Sequence, residues 1–385
     1  MRILIIEEEF NKYKGVSRYA VEIVEGLVAG NEVHLLTLHY DYNVPGVIVH
    51  KLPSIQIGGF VRVIVGRVMN SIYALIIRKR FNIDVVHSQG SESLMCDVVT
   101  MHSCHKAGIK QWNSVSKQEL SYPKYLLKRI IRTINPYNIL TVFIEGRLLR
   151  TTDEILAVSG VVKRETIESY PWVDSNKIKV VYSGVNCNSF KPDYENGLLI
   201  RSKFNLSKDD FVISFCGYEF KRKGLYYLIK SLPLLKKKVK LLVIGKDNES
   251  GCELLASELG VSDNIVFIGQ VSNNLAAYFN ASDIFVFPTT HEAFGLVIVE
   301  AMACGLPVIF SKLAGAAEIV HDEYDALLLN NPADIEEIAE KIDRLSMDSA
   351  MLKNMGKAAH KTALGYKWSN TAESVVDVYK EILKH

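Results

Sequence analysis

Residues 284–300 read IFVFPTTHEAFGLVIVE, which is a short apolar run, a loop and a second apolar run. The first four residues are all apolar, and this predicts a buried strand over 284–287 that ends at Pro288. Gly295 precedes the second run, which predicts that a helix begins near that residue. A strand, a loop and a helix in this order form half of a βαβ unit, the repeating element of parallel α/β sheets.

The same alternation of short apolar runs and longer helical patterns recurs along all 385 residues. The predicted strands lie at 2–6, 33–37, 47–51, 83–87, 98–101, 155–158, 178–182, 211–215, 240–244, 265–268, 284–287, 307–310 and 326–329. Strands this apolar indicate parallel sheets that helices cover on both faces. The length favours two domains. A turn-rich stretch at 184–192 indicates a hinge, which favours two doubly wound sheets over a TIM barrel.

Composition excludes several classes of protein. The chain is 48% hydrophobic and 23% charged, which is typical of a folded globular protein. Its 45 Lys and Arg residues nearly balance 43 Asp and Glu residues, so we expect no nucleic-acid partner. Six cysteines without a CxxC pair favour a reducing cytosol. We find no secretory signal and expect no membrane-spanning stretch, so we expect a cytoplasmic protein.

The loop and helix after residue 288 contain a candidate binding site for a phosphate and for sugar hydroxyls. The amides of Phe294, Gly295 and Leu296 would lie at a helix N-terminus, which favours an anion such as phosphate. Glu292 precedes this helix and Glu300 lies two turns inside it, a spacing that suits two pairs of sugar hydroxyls. The alternative is that Glu292 caps the helix and Glu300 is a surface residue.

Two further loops follow predicted strands and could contact phosphate. Arg222 and Lys223 come after the strand at 211–215, where they could neutralise a diphosphate without a metal ion. The alternative for this pair is a solvated basic turn. Gly15, in the KGVSR segment at 14–18, could present backbone amides to a phosphate.

Two histidines follow the predicted strand at 98–101. His102 and His105 could hydrogen-bond a substrate or carry a proton, and a structural role is the alternative. We predict no metal site, because these histidines lack nearby carboxylates and the sequence contains no Asp-x-Asp triplet. The sequence also lacks the GxGxxG and GxxxxGK[ST] motifs, which disfavours a dinucleotide cofactor and a P-loop NTPase.

The block from Glu292 to Glu300, followed by AMACGLPVI at 301–309, resembles the EX7E signature of retaining glycosyltransferases of family 4. The resemblance extends over nearly the whole chain, through SGVN at 183–186, GAAEIV at 315–320 and the C-terminal segment that opens at Trp368. The RKG turn at 222–224 resembles a subgroup that includes lipopolysaccharide core glucosyltransferases.

That resemblance implies the GT-B fold, an α/β architecture of two Rossmann-like doubly wound parallel-sheet domains facing across a cleft. An acceptor-binding domain would comprise 1–187 plus 368–385, where a C-terminal helix crosses back, and a donor-binding domain would comprise 188–367. The residues implied near the reacting sugar and diphosphate are His102, Glu292, Arg222 and Lys223. The residues implied in donor binding are Gly15 and Val271 through the main chain, the amides of Phe294, Gly295 and Leu296, and Glu300 on the ribose.

The expected reaction moves a hexosyl group, with retention, from a nucleotide-diphosphate sugar, expected to be a UDP-sugar. The expected acceptor is a glycan or a lipid-linked molecule of cell-envelope polysaccharide, lipopolysaccharide or glycolipid synthesis, and no cofactor or metal is expected. Segments 62–80 and 117–150 mix basic and apolar residues, as a helix on an anionic membrane surface does. The alternative for these segments is a packed helix with a solvated basic face.

Two other classes remain as alternatives. A GT-B-fold nucleotide-sugar epimerase, similar to UDP-GlcNAc 2-epimerase, would bind the same donor without transferring its sugar. A two-domain sugar-binding protein without catalysis is disfavoured by the missing export signal and by the basic turn.

Overall fold

The computed structural model describes residues 1–13, 15–53, 58–119, 121–271 and 273–384, with backbone only for 114–119. The chain divides into two compact units. The first unit comprises Met1–Tyr182 and Trp368–His385, and the second comprises Ser183–Lys367. The sequence prediction had placed the division after residue 187.

The first unit contains a seven-stranded sheet in the order β5-β3-β1-β6-β7-β8-β9, with every neighbouring pair parallel. A separate pair of two-residue strands, β2 and β4, lies beside it. The strands of this unit are β1 (Arg2–Ile6), β2 (Glu9–Phe10), β3 (Glu32–Thr37), β4 (His39–Tyr40), β5 (Val47–Lys51), β6 (Val85–Gln89), β7 (Val98–Met101), β8 (Glu154–Ala157) and β9 (Ile178–Val180).

Seven helices belong to the first unit within the described ranges. They are α1 (Gly15–Leu27), α2 (Gly59–Phe81), α3 (His105–Glu119), α4 (Tyr122–Ile134), α5 (Pro136–Thr151), α6 (Gly160–Ser169) and the C-terminal α14 (Trp368–Ile382). A short 3-10 helix spans Ser175–Lys177. The predicted amphipathic C-terminal helix is confirmed as α14, whose buried face includes Trp368, Val375 and Tyr379.

The second unit contains a six-stranded parallel sheet in the order β12-β11-β10-β13-β14-β15. Its strands are β10 (Phe211–Cys216), β11 (Val239–Ile244), β12 (Ile265–Gly269), β13 (Ile284–Phe287), β14 (Val308–Ser311) and β15 (Leu327–Leu329). Its helices are α7 (Tyr194–Lys203), α8 (Leu225–Ser231), α9 (Glu249–Glu258), α10 (Leu275–Asn280), α11 (Leu296–Ala303), α12 (Ile335–Met347) and α13 (Ser349–Leu364). Its 3-10 helices are Leu232–Leu234, Ser262–Asn264 and Gly315–Ile319.

The structure confirms every strand of the two large sheets that the sequence predicts, with ends that agree to within two residues. The central strands are buried on both faces; all six residues of β10 are buried, for example. This burial explains their uninterrupted apolar runs, because helices cover a parallel sheet on both sides. The edge strands β5 and β12 are only partly buried. The sequence prediction missed β2 and β4, since a two-residue strand has no periodicity to detect.

The expectation that no stretch is long and apolar enough to span a membrane is wrong. Within the described residues, one helix, the 23-residue α2, is long and apolar enough to do so. The sequence prediction missed it because Arg62 and Arg67 interrupt the apolar run.

Helices α1 and α14 pack against each other at a glycine. A Cβ atom placed on Gly26 of α1 would lie 2.5 Å from the Cβ of Ala372 in α14, closer than two carbon atoms can approach. The close packing of these helices therefore depends on the absence of a side chain at position 26.

We expect Gly26→Ala to destabilise the protein by about 1–3 kcal/mol, because the added methyl group overpacks the contact with α14. Urea unfolding followed by circular dichroism measures this loss. The double variant Gly26→Ala/Ala372→Gly removes the clash and should recover most of the stability. Equal stability of the single and double variants would contradict the proposed contact.

Candidate active site

The start of α11 is built around Gly295. This residue caps the helix with φ of +102°, a left-handed conformation that disfavours other residues. A Cβ atom here would lie 2.7 Å from Cδ1 of Ile298 and 3.3 Å from Cγ of Glu292. A glycine at this position therefore lets the loop carrying Glu292 approach the first turn of the helix.

Lys223 and Glu292 form a salt bridge between two loops of the second unit. Both side chains are about 85% buried, since their exposed fractions are 13% and 15%. Arg222 lies 3.9 Å from the same carboxylate and donates a hydrogen bond of 2.7 Å to the carbonyl oxygen of His291. The structure thus brings together three predicted site residues, two cations and one carboxylate.

The two loops are also joined through their backbones. The amide of Thr290 donates to the carbonyl of Arg222 at 2.9 Å. Gly224 has φ of +84°, and a Cβ atom on it would lie 1.9 Å from the carbonyl oxygen of Pro288. The basic turn is therefore fixed against the end of β13. The Lys223 side chain is largely buried, unlike that of a solvated basic turn, and Arg222 is partly exposed.

Glu219 is a site neighbour that the sequence prediction missed. Its carboxylate accepts hydrogen bonds from Arg222, 3.0 Å from Nε, and these bonds lower the pKa of Glu219. A spacing of three residues between an acid and an arginine was the available signal. Arg222 and Lys223 thus both have carboxylate partners, which an incoming phosphate would have to replace.

Glu300 lies inside α11 and is almost completely buried, with 1% of its surface exposed. Its charge adds to burial in raising the pKa of the nearby Cys304 thiol. The alternative of a surface helix residue is therefore wrong for Glu300. Val271 lies shortly after β12 and is partly buried.

In the first unit, His102 follows β7. Its Nε2 lies 3.0 Å from Oε1 of Gln89, and its ring meets the ring of Tyr19 edge to face at 4.8 Å. Burial lowers the pKa of His102 to about 3, which keeps the imidazole neutral at physiological pH. His102 is thus a hydrogen-bonding group rather than a cation.

His105 has a different environment. It begins α3, where its Nε2 lies 3.1 Å from Oδ1 of Asn138 and its amide donates to Glu145 at 2.8 Å. These contacts fit the structural alternative. Gly15 begins α1, where a Cβ atom would meet nothing within 4 Å. Lys14 of the same motif lies outside the described residues.

No group of three or more His, Cys, Asp or Glu side chains suited to a metal ion occurs among the described residues. In the second unit, the polar groups of the candidate site are Arg222, Lys223, Glu219, Glu292 and Glu300. In the first unit, the candidate group is the neutral His102. The cations can contact phosphate oxygens, and the carboxylates and the histidine can contact sugar hydroxyls.

Comparison of the sequence with known proteins finds matches to glycosyltransferases. A model described as Glycosyltransferase Family 4 matches residues 13–189, and one described as Glycosyl transferases group 1 matches residues 198–362. An uncharacterised glycosyltransferase of Methanocaldococcus jannaschii is 27% identical over 380 residues, which cover 95% of this chain and 94% of that protein.

A D-inositol 3-phosphate glycosyltransferase of Streptomyces bingchenggensis is 30% identical over 256 residues, 62% of this chain and 55% of that protein. The match thus spans about half the length of that relative.

Two solved structures resemble the whole chain. WaaG, a glycosyltransferase involved in lipopolysaccharide biosynthesis, superposes with a TM-score of 0.77 at 18% identity, covering 98% of this chain and 99% of WaaG. Anabaena HepE in complex with UDP-glucose superposes with a TM-score of 0.72 at 16% identity, covering 99% of this chain and 100% of HepE.

Together the fold and the matches define the class of protein: the chain is a transferase enzyme with the GT-B fold, built from two Rossmann-like parallel-sheet units. More particularly, it is a glycosyltransferase that carries a family 4 domain followed by a group 1 domain. The comparisons give no support to the epimerase alternative.

His87 and His102 of the first unit lead to a prediction about pH. Burial lowers the pKa of His87, as of His102, to about 3, below the unfolded value of about 6.5. Each therefore contributes stability above pH 6.5 that is lost as the pH falls towards 3. We expect His102→Gln to reduce the slope of unfolding free energy against pH by about 1.4 kcal/mol per unit between these values. Urea titrations at pH 6.5 and 4.5 measure this slope, and an unchanged slope would show that His102 ionises normally.

Proposed function

We propose that this glycosyltransferase moves a hexosyl group from a nucleotide-diphosphate sugar to an acceptor of cell-envelope polysaccharide, lipopolysaccharide or glycolipid synthesis. The observation that carries this proposal is the pairing of Lys223 and Arg222 with Glu292 beside the start of α11. This pairing supports the proposal because cations suit a diphosphate and the neighbouring carboxylate suits sugar hydroxyls. UDP is the proposed nucleotide, since HepE, which shares the fold, was crystallised with UDP-glucose.

Each predicted site residue of the two units receives a role in the proposal. The amides of Phe294, Gly295 and Leu296, together with Arg222 and Lys223, hold the diphosphate, and main chain near Val271 meets the base. Glu300 accepts hydrogen bonds from the ribose, and Glu292 accepts one from the transferred sugar. Gly15 contributes amides to the phosphates, and His102 contacts the reacting sugar.

The proposed reaction uses no divalent ion. As the bond between the anomeric carbon and the phosphate oxygen breaks, negative charge develops on the leaving diphosphate, and the proposed role of Lys223 and Arg222 is to stabilise it with fixed positive charge. For this to happen, Lys223 exchanges its carboxylate partner for a phosphate oxygen. That exchange also frees Glu292 to accept a sugar hydroxyl.

Retention of the anomeric configuration is part of the proposal and rests on the resemblance to the EX7E enzymes. The acceptor hydroxyl attacks the face from which the diphosphate departs, and a phosphate oxygen accepts its proton. The new glycosidic bond then has the same anomeric configuration as the donor.

The acceptor side of the proposal rests on α2. Its buried positions include the polar residues Asn70 and Ser71, and Asn70 donates to the carbonyl of Glu92 at 2.6 Å. Several large apolar side chains of the same helix are instead exposed: Phe60, Val61, Val68, Ile72, Leu75 and Ile76. Helix α2 also packs Ala74 and Ile77 into the core of the first unit. The exposed apolar side chains suit an apolar surrounding, and the basic residues at 78–80 suit lipid phosphates.

Helix α4 has the same character. Its buried side chain is Tyr125, whereas its exposed side chains alternate between apolar and basic. The exposed apolar residues are Tyr122, Leu126, Leu127, Ile130, Ile131 and Ile134. Of the predicted segment 117–150, residue 120 and the side chains of 117–119 lie outside the described part. We propose that α2 and α4 bind the cytoplasmic face of an anionic membrane, where a lipid-linked acceptor is found.

Donor binding tests the site. We expect Glu300→Ala and Lys223→Ala each to weaken UDP binding by about 1–3 kcal/mol, because buried hydroxyls or phosphate oxygens lose a charged partner. Isothermal titration calorimetry with UDP, with and without EDTA, measures both effects. Lys353→Ala, at an exposed lysine of α13, is the matched control. Unchanged affinity in both site variants would remove the assignment, and loss of binding in EDTA would contradict metal-free binding.

Turnover tests the role of Lys223 separately. We expect Lys223→Ala to reduce kcat for UDP release from UDP-glucose. The expected loss of transition-state stabilisation is about 2–4 kcal/mol. A change in KM alone would show that Lys223 only binds the donor.

Vesicle binding tests the membrane surface. We expect Leu127→Glu/Ile131→Glu to abolish sedimentation with phosphatidylglycerol vesicles, because two carboxylates replace the apolar contact and repel the lipid phosphates. Leu254→Glu, at an exposed leucine in the second unit, is the control for an added surface charge. Equal sedimentation with phosphatidylcholine vesicles would contradict recognition of anionic lipid.

A further inference from the structure

A chain of buried polar groups links α14 to His102 within the first unit. The hydroxyl of Tyr379 lies 2.5 Å from Nδ1 of His87, whose Nε2 lies 2.7 Å from Oγ1 of Thr100. The amide nitrogen of Gln89 lies 3.5 Å from the same Nε2, and its Oε1 lies 3.0 Å from Nε2 of His102. The side chains of Tyr379, His87, Thr100 and Gln89 are all at most 1% exposed.

The hydrogen bonds of this chain have a direction. In the orientation that the Gln89 amide takes here, its nitrogen donates to Nε2 of His87, which makes that atom an acceptor. A neutral His87 then carries its proton on Nδ1 and donates to the hydroxyl of Tyr379. The other end of the Gln89 amide is a carbonyl oxygen that can only accept, so Nε2 of His102 carries a proton.

The proton on Nε2 of His102 also determines the protonation state of its other ring nitrogen, Nδ1. Because the imidazole is neutral, a proton on Nε2 leaves Nδ1 with a lone pair. Among the described residues of its own unit, Nδ1 makes no hydrogen bond. His102 is also partly exposed, unlike the groups behind it. Nδ1 is therefore the atom that can accept a hydrogen bond from a substrate hydroxyl.

Aromatic packing holds the ring of His102 in place. Tyr19 of α1 meets His102 edge to face at 4.8 Å between ring centroids and meets Trp368 of α14 in the same way at 5.5 Å. Among the residues that the structure describes, the titratable groups that face His102 are Tyr19 and His87. Helix α14 thus contacts the surroundings of His102 both through packing and through hydrogen bonds.

We propose that Tyr379, His87 and Gln89 are positioning residues that fix His102 as the Nε2–H tautomer and make its Nδ1 an acceptor for a substrate hydroxyl. This inference rests on the proposed role of His102 in glycosyl transfer. It adds that a tyrosine in the last helix sets the tautomer of a histidine after β7. His102 itself is the residue that touches substrate.

The proposal predicts a change at a distance. In Tyr379→Phe, Nδ1–H of His87 loses its acceptor, so His87 moves its proton to Nε2 and donates to Thr100. The Gln89 amide then turns and presents its N–H₂ group to His102, whose proton moves to Nδ1. A carboxylate at position 89 can only accept, so Tyr379→Phe/Gln89→Glu should restore the Nε2–H tautomer of His102.

The experiment combines tautomer and activity measurements on the full chain. Long-range ¹H–¹⁵N correlation spectra of protein labelled at histidine identify which ring nitrogen carries the proton. We expect Nε2–H in the wild type, Nδ1–H in Tyr379→Phe and Nε2–H in the double variant. Release of UDP from UDP-glucose should show kcat/KM reduced about tenfold in Tyr379→Phe and regained in the double variant.

A pH profile separates positioning from a merely structural role. The carboxylate of Gln89→Glu favours protonated His102, so the acidic limb of kcat/KM should move to higher pH in this variant. Tyr324→Phe, at an exposed tyrosine of the second unit, should change neither tautomer nor profile.

Three outcomes would decide against the inference: an Nδ1–H wild type, an unchanged tautomer in Tyr379→Phe, or unchanged kcat/KM despite a changed tautomer. A wild type that releases no UDP would instead contradict the proposed donor. The tautomers of the variants would then decide the inference without the activity measurement.

Discussion

Parallel pairing of β10 with β13 is the constraint on which the donor site depends. Because the two strands are neighbours and run the same way, the loops that follow them emerge at the same edge of the sheet. Residues 69 positions apart in sequence, Lys223 and Glu292, meet there in a salt bridge. The glycines at 224 and 295 allow the close approach, since either would clash with a neighbouring atom if it carried a side chain.

Much of this arrangement could be predicted from the sequence, and the reason is physical. A strand buried on both faces must be apolar throughout, so β10 and β13 were recognisable from their composition alone. The start of α11 was recognisable because a glycine preceded an apolar run. By contrast, the carboxylate of Glu219 on Arg222 depends on how a single turn folds, and a sequence pattern does not encode that geometry.

Helix α2 and the histidines show the limits of reading residue types without contacts. Arginines within α2 suggested an interrupted apolar segment, yet Arg67 forms a salt bridge to Glu92, 2.9 Å away, which places it on the side packed against the unit. His102 and His105 looked equivalent in sequence, but only contacts with Gln89 and Asn138 distinguish them. Long-range partners such as Tyr379 leave no trace in local sequence.

The return of α14 to the first unit has a consequence for biosynthesis. The ribosome makes residues 1–182 first, but the helix that packs against α1 and hydrogen-bonds His87 is made only after the whole second unit. Until then, the face of α1 that packs against α14 and the imidazole of His87 lack these neighbours. The first 182 residues therefore leave the ribosome before α14, the helix that completes their packing, has been made.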